Sequence, residues 1–358
     1  MIDKNFWQGK RVFITGHSGF KGAWLTLLLA HLKAKISGYA LPPPTDPSLF
    51  ALCRLGERKF LSSTFADIRN KTALLAAIKA AKPEIVIHLA AQPLVLASYQ
   101  NPPETYEVNI LGTVNLLEAV RAAGGVKAVI NVTTDKCYQN QEWVWGYRET
   151  EPLGGYDPYS SSKACSEIIT ASYRQSFFDP ADGTGLATAR SGNVFGGGDW
   201  ASDRLVADAM KALLQNEPVI VRNPLSVRPW QHVLEPLAGY LLLAQHLCTD
   251  APSYSEAWNF GPDTAHPVGF LVETLCALWG ENAAYKIDQP KNAPHEAHYL
   301  KLDATKAKTK LAWQPKWDLK EALAKTVAWS KAYRQGKSVF AVSNEQIEEY
   351  LTGNKNNA

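Results

Sequence analysis

The sequence predicts an α/β protein built on a doubly wound parallel sheet, with a smaller α/β lobe on its C-terminal side. Three observations carry that prediction. Short apolar runs alternate with helical patterns through the first 190 residues, and a glycine-spaced turn at residues 15–22 joins the first run to the first helix. Beyond residue 190 the rhythm loosens into Gly196-Gly197-Gly198 and several proline turns. A chain of 358 residues is too long for one small core and suits a large unit with a smaller companion.

Residues 11–14 form the first strand, and Phe20, Trp24, Leu25, Leu28, Leu29 and Leu32 follow at helical spacing. Extended stretches at 35–40 and 60–66, a helix at 71–81 bounded by Pro83, and the apolar strand 85–89 come next. A helix over 103–123 stops at Gly124-Gly125, a buried strand occupies 128–132, and a long helix covers 158–178. After a strand at 187–190, shorter helices are expected near 202–215, 230–247, 268–279 and 318–334. These patterns divide the chain into residues 1–190 with a returning segment at 229–262, a second lobe of 191–228 and 263–350, and a frayed polar tail at 351–358.

Composition excludes several classes of function. Apolar residues make up 46% and charged residues 20% of the chain, so a packed globular protein is expected and a disordered or repeat architecture is not. The net charge is only +3 and the basic residues are scattered, which leaves nucleic-acid binding unsupported. The N-terminus lacks an apolar leader core and the longest apolar stretch, 24–30, is far short of a membrane span, so a cytoplasmic location with no membrane partner is expected. Cys53, Cys137, Cys165, Cys248 and Cys276 lie far apart, and their spacing signals neither a metal site nor a disulfide framework.

The turn Thr15-Gly16-His17-Ser18-Gly19-Phe20-Lys21-Gly22 places glycines at intervals of three between a strand and a helix. Glycine allows positive φ and close backbone approach, so a dinucleotide pyrophosphate can rest on the free N–H groups where the helix dipole favours negative charge. Three glycines in a turn also arise by chance. Context further along the chain decides between the two readings.

Tyr159 and Lys163 lie four apart on the helix at 158–178, hence on one face. Alone, such a pair is an ordinary solvated face. Here it follows by about two dozen residues a strand ending Asn131-Val132-Thr133-Thr134-Asp135-Lys136. A phenol is a poor base at neutral pH, but a nearby ammonium and a cationic cofactor ring favour its phenolate, so the two side chains can act together on a hydroxyl proton.

The spacing T-G-x-x-G-x-x-G, the hydroxyl at Thr134 and the Tyr159/Lys163 pair together resemble the extended short-chain dehydrogenase superfamily, whose core is a Rossmann sheet. Within it, Thr134-Asp135-Lys136 is similar to the tripeptide of the sugar-nucleotide 4,6-dehydratases that act on CDP-glucose; the dTDP-glucose enzymes resemble Thr-Asp-Glu instead. The likeness extends through Arg228-Pro229-Trp230-Gln231-His232-Val233 to His295-Glu296-Ala297-His298-Tyr299-Leu300.

The resemblance implies an enzyme that uses NAD on CDP-glucose. Gly16, His17, Ser18, Gly19, Phe20, Gly22, Leu89, Ala90, Ala91 and Thr133 would surround the cofactor, with Asp67 and Ile68 meeting the adenine ring. Alternatively, Asp67 caps the following helix. Tyr159 would take the 4-hydroxyl proton beside Thr134, Lys163 would hold the nicotinamide ribose, and Asp135 would protonate the departing 6-hydroxyl. Lys136 would serve either as the base at C5 or as a stabiliser of the enolate. Arg204 and Arg228 would meet the diphosphate, Asn193 the sugar or phosphate, and Tyr299 the nucleotide.

The second strand ends Ser37-Gly38-Tyr39-Ala40 without the acidic residue that usually holds the adenosine 2′-hydroxyl, so the strand itself does not choose NAD over NADP. A 4-epimerase, a dehydratase of another nucleotide sugar and a catalytically silent NAD-binding regulator are the competing readings. Asp135 weighs against the first, and the presence of Thr134, Tyr159 and Lys163 against the last. A homo-oligomer formed through the helices at 103–123 and 158–178 is expected.

Overall fold

The computed structural model describes residues 2–178, 183–280, 282–289 and 297–353. Six strands of the first half, β1 (Arg11–Thr15), β2 (Lys35–Ala40), β3 (Leu61–Phe65), β4 (Ile85–His88), β5 (Ala128–Val132) and β6 (Gly185–Ser191), form one sheet with a seventh strand, Ala257–Phe260. The order is seventh, β6, β5, β4, β1, β2, β3, and all six pairings are parallel. Every residue of β4, β5 and β6 is buried, as expected for strands covered on both faces. The chain runs outward from β1 through β2 and β3, then returns to β4 on the other side of β1. A cleft opens beyond the carboxyl ends of the strands at such a reversal.

Helices Phe20–His31, Lys71–Ala81, Gly112–Ala123, Pro158–Ser176 and Leu234–Thr249 cover the sheet. The helix expected over 103–123 is not continuous. Pro102–Tyr106 passes through a wide turn, Glu107–Leu111, of π-helical geometry before Gly112–Ala123 resumes. Two contacts fix that turn. Asn109 accepts from Gln92 N at 2.8 Å and donates to Gln92 O at 3.1 Å and to Ser162 Oγ at 2.8 Å, while a Cβ at Gly112 would stand 2.8 Å from Ile68 Cγ2.

The helix expected near 230–247 begins later, because Gln231–His232 is extended and pairs with Val194–Phe195. Further short pairings join Val219–Val221 to Tyr285–Ile287 and Val227–Arg228 to His266–Pro267. Helices Leu205–Leu214, Val268–Trp279 and Leu319–Arg334 surround them.

One helix was not expected. Val339–Thr352 buries Val339, Ser343, Gln346, Ile347 and Tyr350. Its anchor is a buried acid, since Glu235 accepts from Tyr350 Oη at 2.6 Å and from the amides of Lys316 and Trp317. Leu351 and Thr352 therefore end a helix and do not begin a frayed tail; residues 354–358 lie outside the described part of the chain. Among the described residues no helix is long and apolar enough to cross a membrane, and no acidic, cysteine and histidine group is placed to hold a metal ion. All five cysteines are free.

Candidate active site

A cleft of about 1300 Å³ opens at the carboxyl edge of the sheet, and residues from both halves of the chain line it. Its floor begins at the glycine turn. Gly16 has φ +77° and donates its N–H to Tyr39 O at 2.9 Å, and a Cβ there would lie 2.7 Å from Ala90 N. At Gly22 a Cβ would lie 2.1 Å from Gly16 O, so that position closes the turn against its helix. Gly19 differs: its nearest neighbour would be Gly16 O at 3.5 Å, and it starts Phe20–His31 with no side-chain cap. A concave, uncapped helix N-terminus therefore faces the cleft. Those are the requirements for seating an anionic pyrophosphate.

The rest of this half is held from beneath. Thr15 Oγ1 meets His88 Nδ1 at 2.6 Å and accepts from the amides of Leu89 and Ala90 at 3.2 Å. Burial pulls His88 down to about 3, so it stays neutral and carries no charge into the cleft. Ser18, Ile68, Leu89, Ala90, Ala91 and Thr133 line the space, as do Phe20 and Asp67. Asp67 does not cap the next helix, because Asn70 does so by accepting from Ala73 N. Arg69 grips the Asp67 carboxylate through Nη2 at 2.6 Å and holds its pKa below the ordinary range.

His17 is turned away from the lining. Its Nε2 meets Ser63 Oγ at 2.5 Å, its ring lies between Phe50 and Phe65, and burial lowers its pKa to about 4. The ring also rests on Gly38, where a Cβ would come within 2.4 Å of it. The missing acidic residue at the end of β2 thus has a steric counterpart: the imidazole fills the place of a side chain at 38.

Across the sheet, Thr134, Asp135 and Lys136 emerge from β5, and Tyr159 and Lys163 from Pro158–Ser176; all five line the cleft. Asp157 sets the helix start by accepting from Ser160 N at 2.9 Å, with Pro158 in the first turn. Thr134 Oγ1 donates to Asp135 Oδ1 at 3.1 Å, and the buried Oδ2 finds no hydrogen-bond partner among the described residues. Lys163 Nζ donates to Val132 O at 3.2 Å, and burial lowers its pKa to about 8. Burial pushes the Tyr159 phenol up to about 12, opposed by its hydrogen bond with Thr134. The Arg204 guanidinium also favours the phenolate, and the Asp135 carboxylate opposes it.

From the chain beyond β6, Asn193, Arg204 and Arg228 line the cleft. Arg204 Nη1 pairs with Asp199 Oδ2 at 3.0 Å, and Arg228 donates to the carbonyls of Val227 and Ala297. Tyr299 does not reach the lining; its backbone bridges Val227 and its carbonyl accepts from Asn140 at 3.0 Å. Of the sequence segment around it, residues 295 and 296 lie outside the described part.

Two cleft residues escaped the sequence reading. Lys21 donates to Ser191 Oγ at 3.1 Å, and burial together with Arg204 and Lys163 lowers its pKa to about 7. The signal was a charge inside a glycine turn, which spacing alone does not interpret. Arg222, paired with Asp203 at 2.9 Å, was hidden in a segment with no recognisable pattern.

The family model for GDP-mannose 4,6-dehydratase matches residues 13–326. The chain belongs to the GDP-mannose 4,6-dehydratase family. Among relatives of this dehydratase, CDP-glucose 4,6-dehydratase of Salmonella typhimurium is 54% identical over 98% of this chain and 99% of the relative. A dTDP-glucose 4,6-dehydratase of Xanthomonas campestris is 24% identical over 74% of this chain and 77% of its own. The fold is shared with dTDP-glucose 4,6-dehydratase DesIV of Streptomyces venezuelae, solved with NAD and TYD (TM-score 0.77, 22% identity, 92% of this chain and 99% of that one). It is shared equally with the UDP-glucose 4-epimerase of Thermus thermophilus, solved with NAD (TM-score 0.77, 24% identity, 90% and 99%). Fold alone therefore does not separate dehydratase from epimerase.

Proposed function

We propose that this chain is an NAD-dependent CDP-D-glucose 4,6-dehydratase, a hydro-lyase forming CDP-4-keto-6-deoxy-D-glucose. One observation carries the choice of reaction: the Oδ2 of buried Asp135, which has no partner among the described residues, in the cleft shared by Thr134, Tyr159 and Lys163. The 54% identity to a CDP-glucose 4,6-dehydratase along both whole chains supports the substrate.

The glycine cradle fits a dinucleotide, because Gly19 leaves open the space that a Cβ would occupy above an uncapped helix. Gly16, Gly19 and Gly22 would hold NAD there, where it would supply the hydride chemistry, as acceptor at C4 and donor at C6. Tyr159 takes the 4-hydroxyl proton while Thr134 hydrogen-bonds the same oxygen. Lys163 supplies one of the positive charges that favour the phenolate and binds the ribose beside it. Once C4 is a ketone the C5 proton is acidic. Lys136 removes that proton, or stabilises the enolate while water takes it, Asp135 protonates the 6-hydroxyl as it leaves as water, and a proton returns to C5 when hydride reaches C6. Arg204 and Arg228 meet the diphosphate and Asn193 the sugar; Tyr299 acts through the loop it anchors.

In this reading residues 1–190 with 229–262 bind the cofactor, and 191–228 with 263–350 bind the nucleotide sugar. Leu111 and Ile168 are 54% and 56% exposed on the paired helical segments, which supports a homo-oligomer formed across them.

Incubation with CDP-, dTDP-, UDP- and GDP-hexoses, followed by alkali, tests the assignment through the ultraviolet absorbance of a 4-keto-6-deoxy product. Signal with CDP-glucose is expected. A C4-epimerised hexose without dehydration would replace this reading with the epimerase.

A further inference from the structure

The catalytic helix carries a second buried acid that the steps above do not use. Glu167 lies four residues beyond Lys163 on Pro158–Ser176, so the two side chains share a face one turn apart, and Glu167 is 3% exposed. Its Oε2 accepts from Arg190 Nη2 at 2.7 Å and from Thr188 Oγ1 at 2.7 Å, and its Oε1 accepts from the hydroxyl of Thr133. Arg190 is fixed in turn, donating to Tyr138 Oη at 2.8 Å and to Glu149 O at 3.1 Å. Thr188 and Arg190 belong to β6, and Thr133 follows β5. The peptide between 132 and 133 is thus gripped twice from the same helix, by Lys163 at the Val132 carbonyl and by Glu167 at the Thr133 side chain.

A carboxylate at that depth stays charged only if it is paired and hydrogen-bonded. Burial pushes Glu167 upward, but Arg190 and the two threonine hydroxyls outweigh it and leave the acid below its ordinary range. Around Lys163 the other titratable groups offer no constant negative charge. His88 from β4 is neutral, burial pushes the Cys137 thiol after β5 well above its ordinary value, and Lys21 from the glycine turn repels. On its own helix, Tyr159 is raised, and Asp135 across the cleft changes protonation in the proposed cycle. Arg174 also faces Glu167, which adds to the positive charge on that side.

The geometry points to Glu167 as a positioning residue: a fixed negative charge one turn from Lys163, braced by Arg190, Thr133 and Thr188, that keeps Lys163 an ammonium and the catalytic helix in register with Thr134 and Asp135. This rests on the reading that Lys163 works charged beside Tyr159.

The test follows acetylation of Lys163 by acetic anhydride as a function of pH, read by peptide mass spectrometry on the full chain, because only the neutral amine reacts. Glu167→Gln lowers the midpoint, and labelling at a fixed pH below it rises about tenfold for each pH unit by which the midpoint falls. Arg190→Gln leaves the buried Glu167 carboxyl unpaired and therefore protonated, and so also lowers the midpoint, and Thr188→Val, which removes a hydrogen bond and no charge, leaves it in place. The basic limb of kcat on CDP-glucose moves in the same directions. An unshifted midpoint in Glu167→Gln overturns the assignment; if that variant does not fold, an unshifted or raised midpoint in Arg190→Gln does so. A wild-type chain that does not turn over CDP-glucose defeats the proposed function, while the labelling result still judges Glu167.

Discussion

Thr134 and Asp135 share one hydrogen bond of 3.1 Å, and it engages only one of the two carboxyl oxygens. The other is buried with no partner among the described residues. An unsatisfied polar atom in a protein interior costs about 1–3 kcal/mol, a cost that a purely structural carboxyl would have been expected to avoid.

Asp135→Asn removes the acid while keeping its shape. Dehydration is expected to fall by about 10²–10⁴, while oxidation at C4 continues. Stopped-flow absorbance at the NADH band should therefore show a reduced cofactor that persists instead of decaying. Equal loss of both phases would mean that Asp135 serves binding and not water elimination.

Two glycines of the turn should respond differently. Gly22→Ala drives a Cβ to 2.1 Å from Gly16 O, so the turn must open and the chain lose stability in urea. Gly19→Ala meets nothing closer than 3.5 Å and should fold normally, yet it occupies the cradle and weakens NAD binding about tenfold or more by fluorescence titration, each tenfold being about 1.4 kcal/mol. Unchanged NAD affinity in Gly19→Ala would place the pyrophosphate elsewhere.

His17, His88 and His232 are held neutral by burial, with pKa values lowered to about 4, 3 and 3. Because the folded values lie below that of the unfolded chain, the unfolded state binds more protons between pH 6.5 and 4. Stability from these groups is complete above pH 6.5 and falls as the pH falls. Each contributes a slope of about 1.4 kcal/mol per pH unit in that window. Urea unfolding of His232→Phe at pH 7.5 and 5.0 should show that slope reduced by about one proton.

Leu111→Glu with Ile168→Glu places charge on both exposed helical segments. Light scattering should report a monomer, with the circular dichroism of the wild type retained. An unaltered oligomer would move the interface to another face.

Much of this arrangement was legible in the sequence because strand burial, glycine spacing and the Tyr159/Lys163 pair are local signals, each set within a few residues. What escaped depends on distant neighbours. The orientation of His17 is decided by Gly38 and Ser63, and the helix Val339–Thr352 by an acid more than a hundred residues upstream. Tyr299 lay in a motif that the sequence placed near the site, but its strand bridge to Val227 leaves it outside the cleft lining.

The wide turn at Glu107–Leu111 makes this region intolerant of changes in length. It stores an extra residue relative to regular helix, so deleting one position there would restore ordinary winding and swing the preceding segment by about 100° about the axis. Tyr106 would then leave Ser161, which it now meets at 2.9 Å, and Asn109 would leave Ser162, so a shortening far from any reacting atom would unseat the start of the catalytic helix. Same-length substitutions at outward-facing Leu111 carry no such penalty for a single protomer.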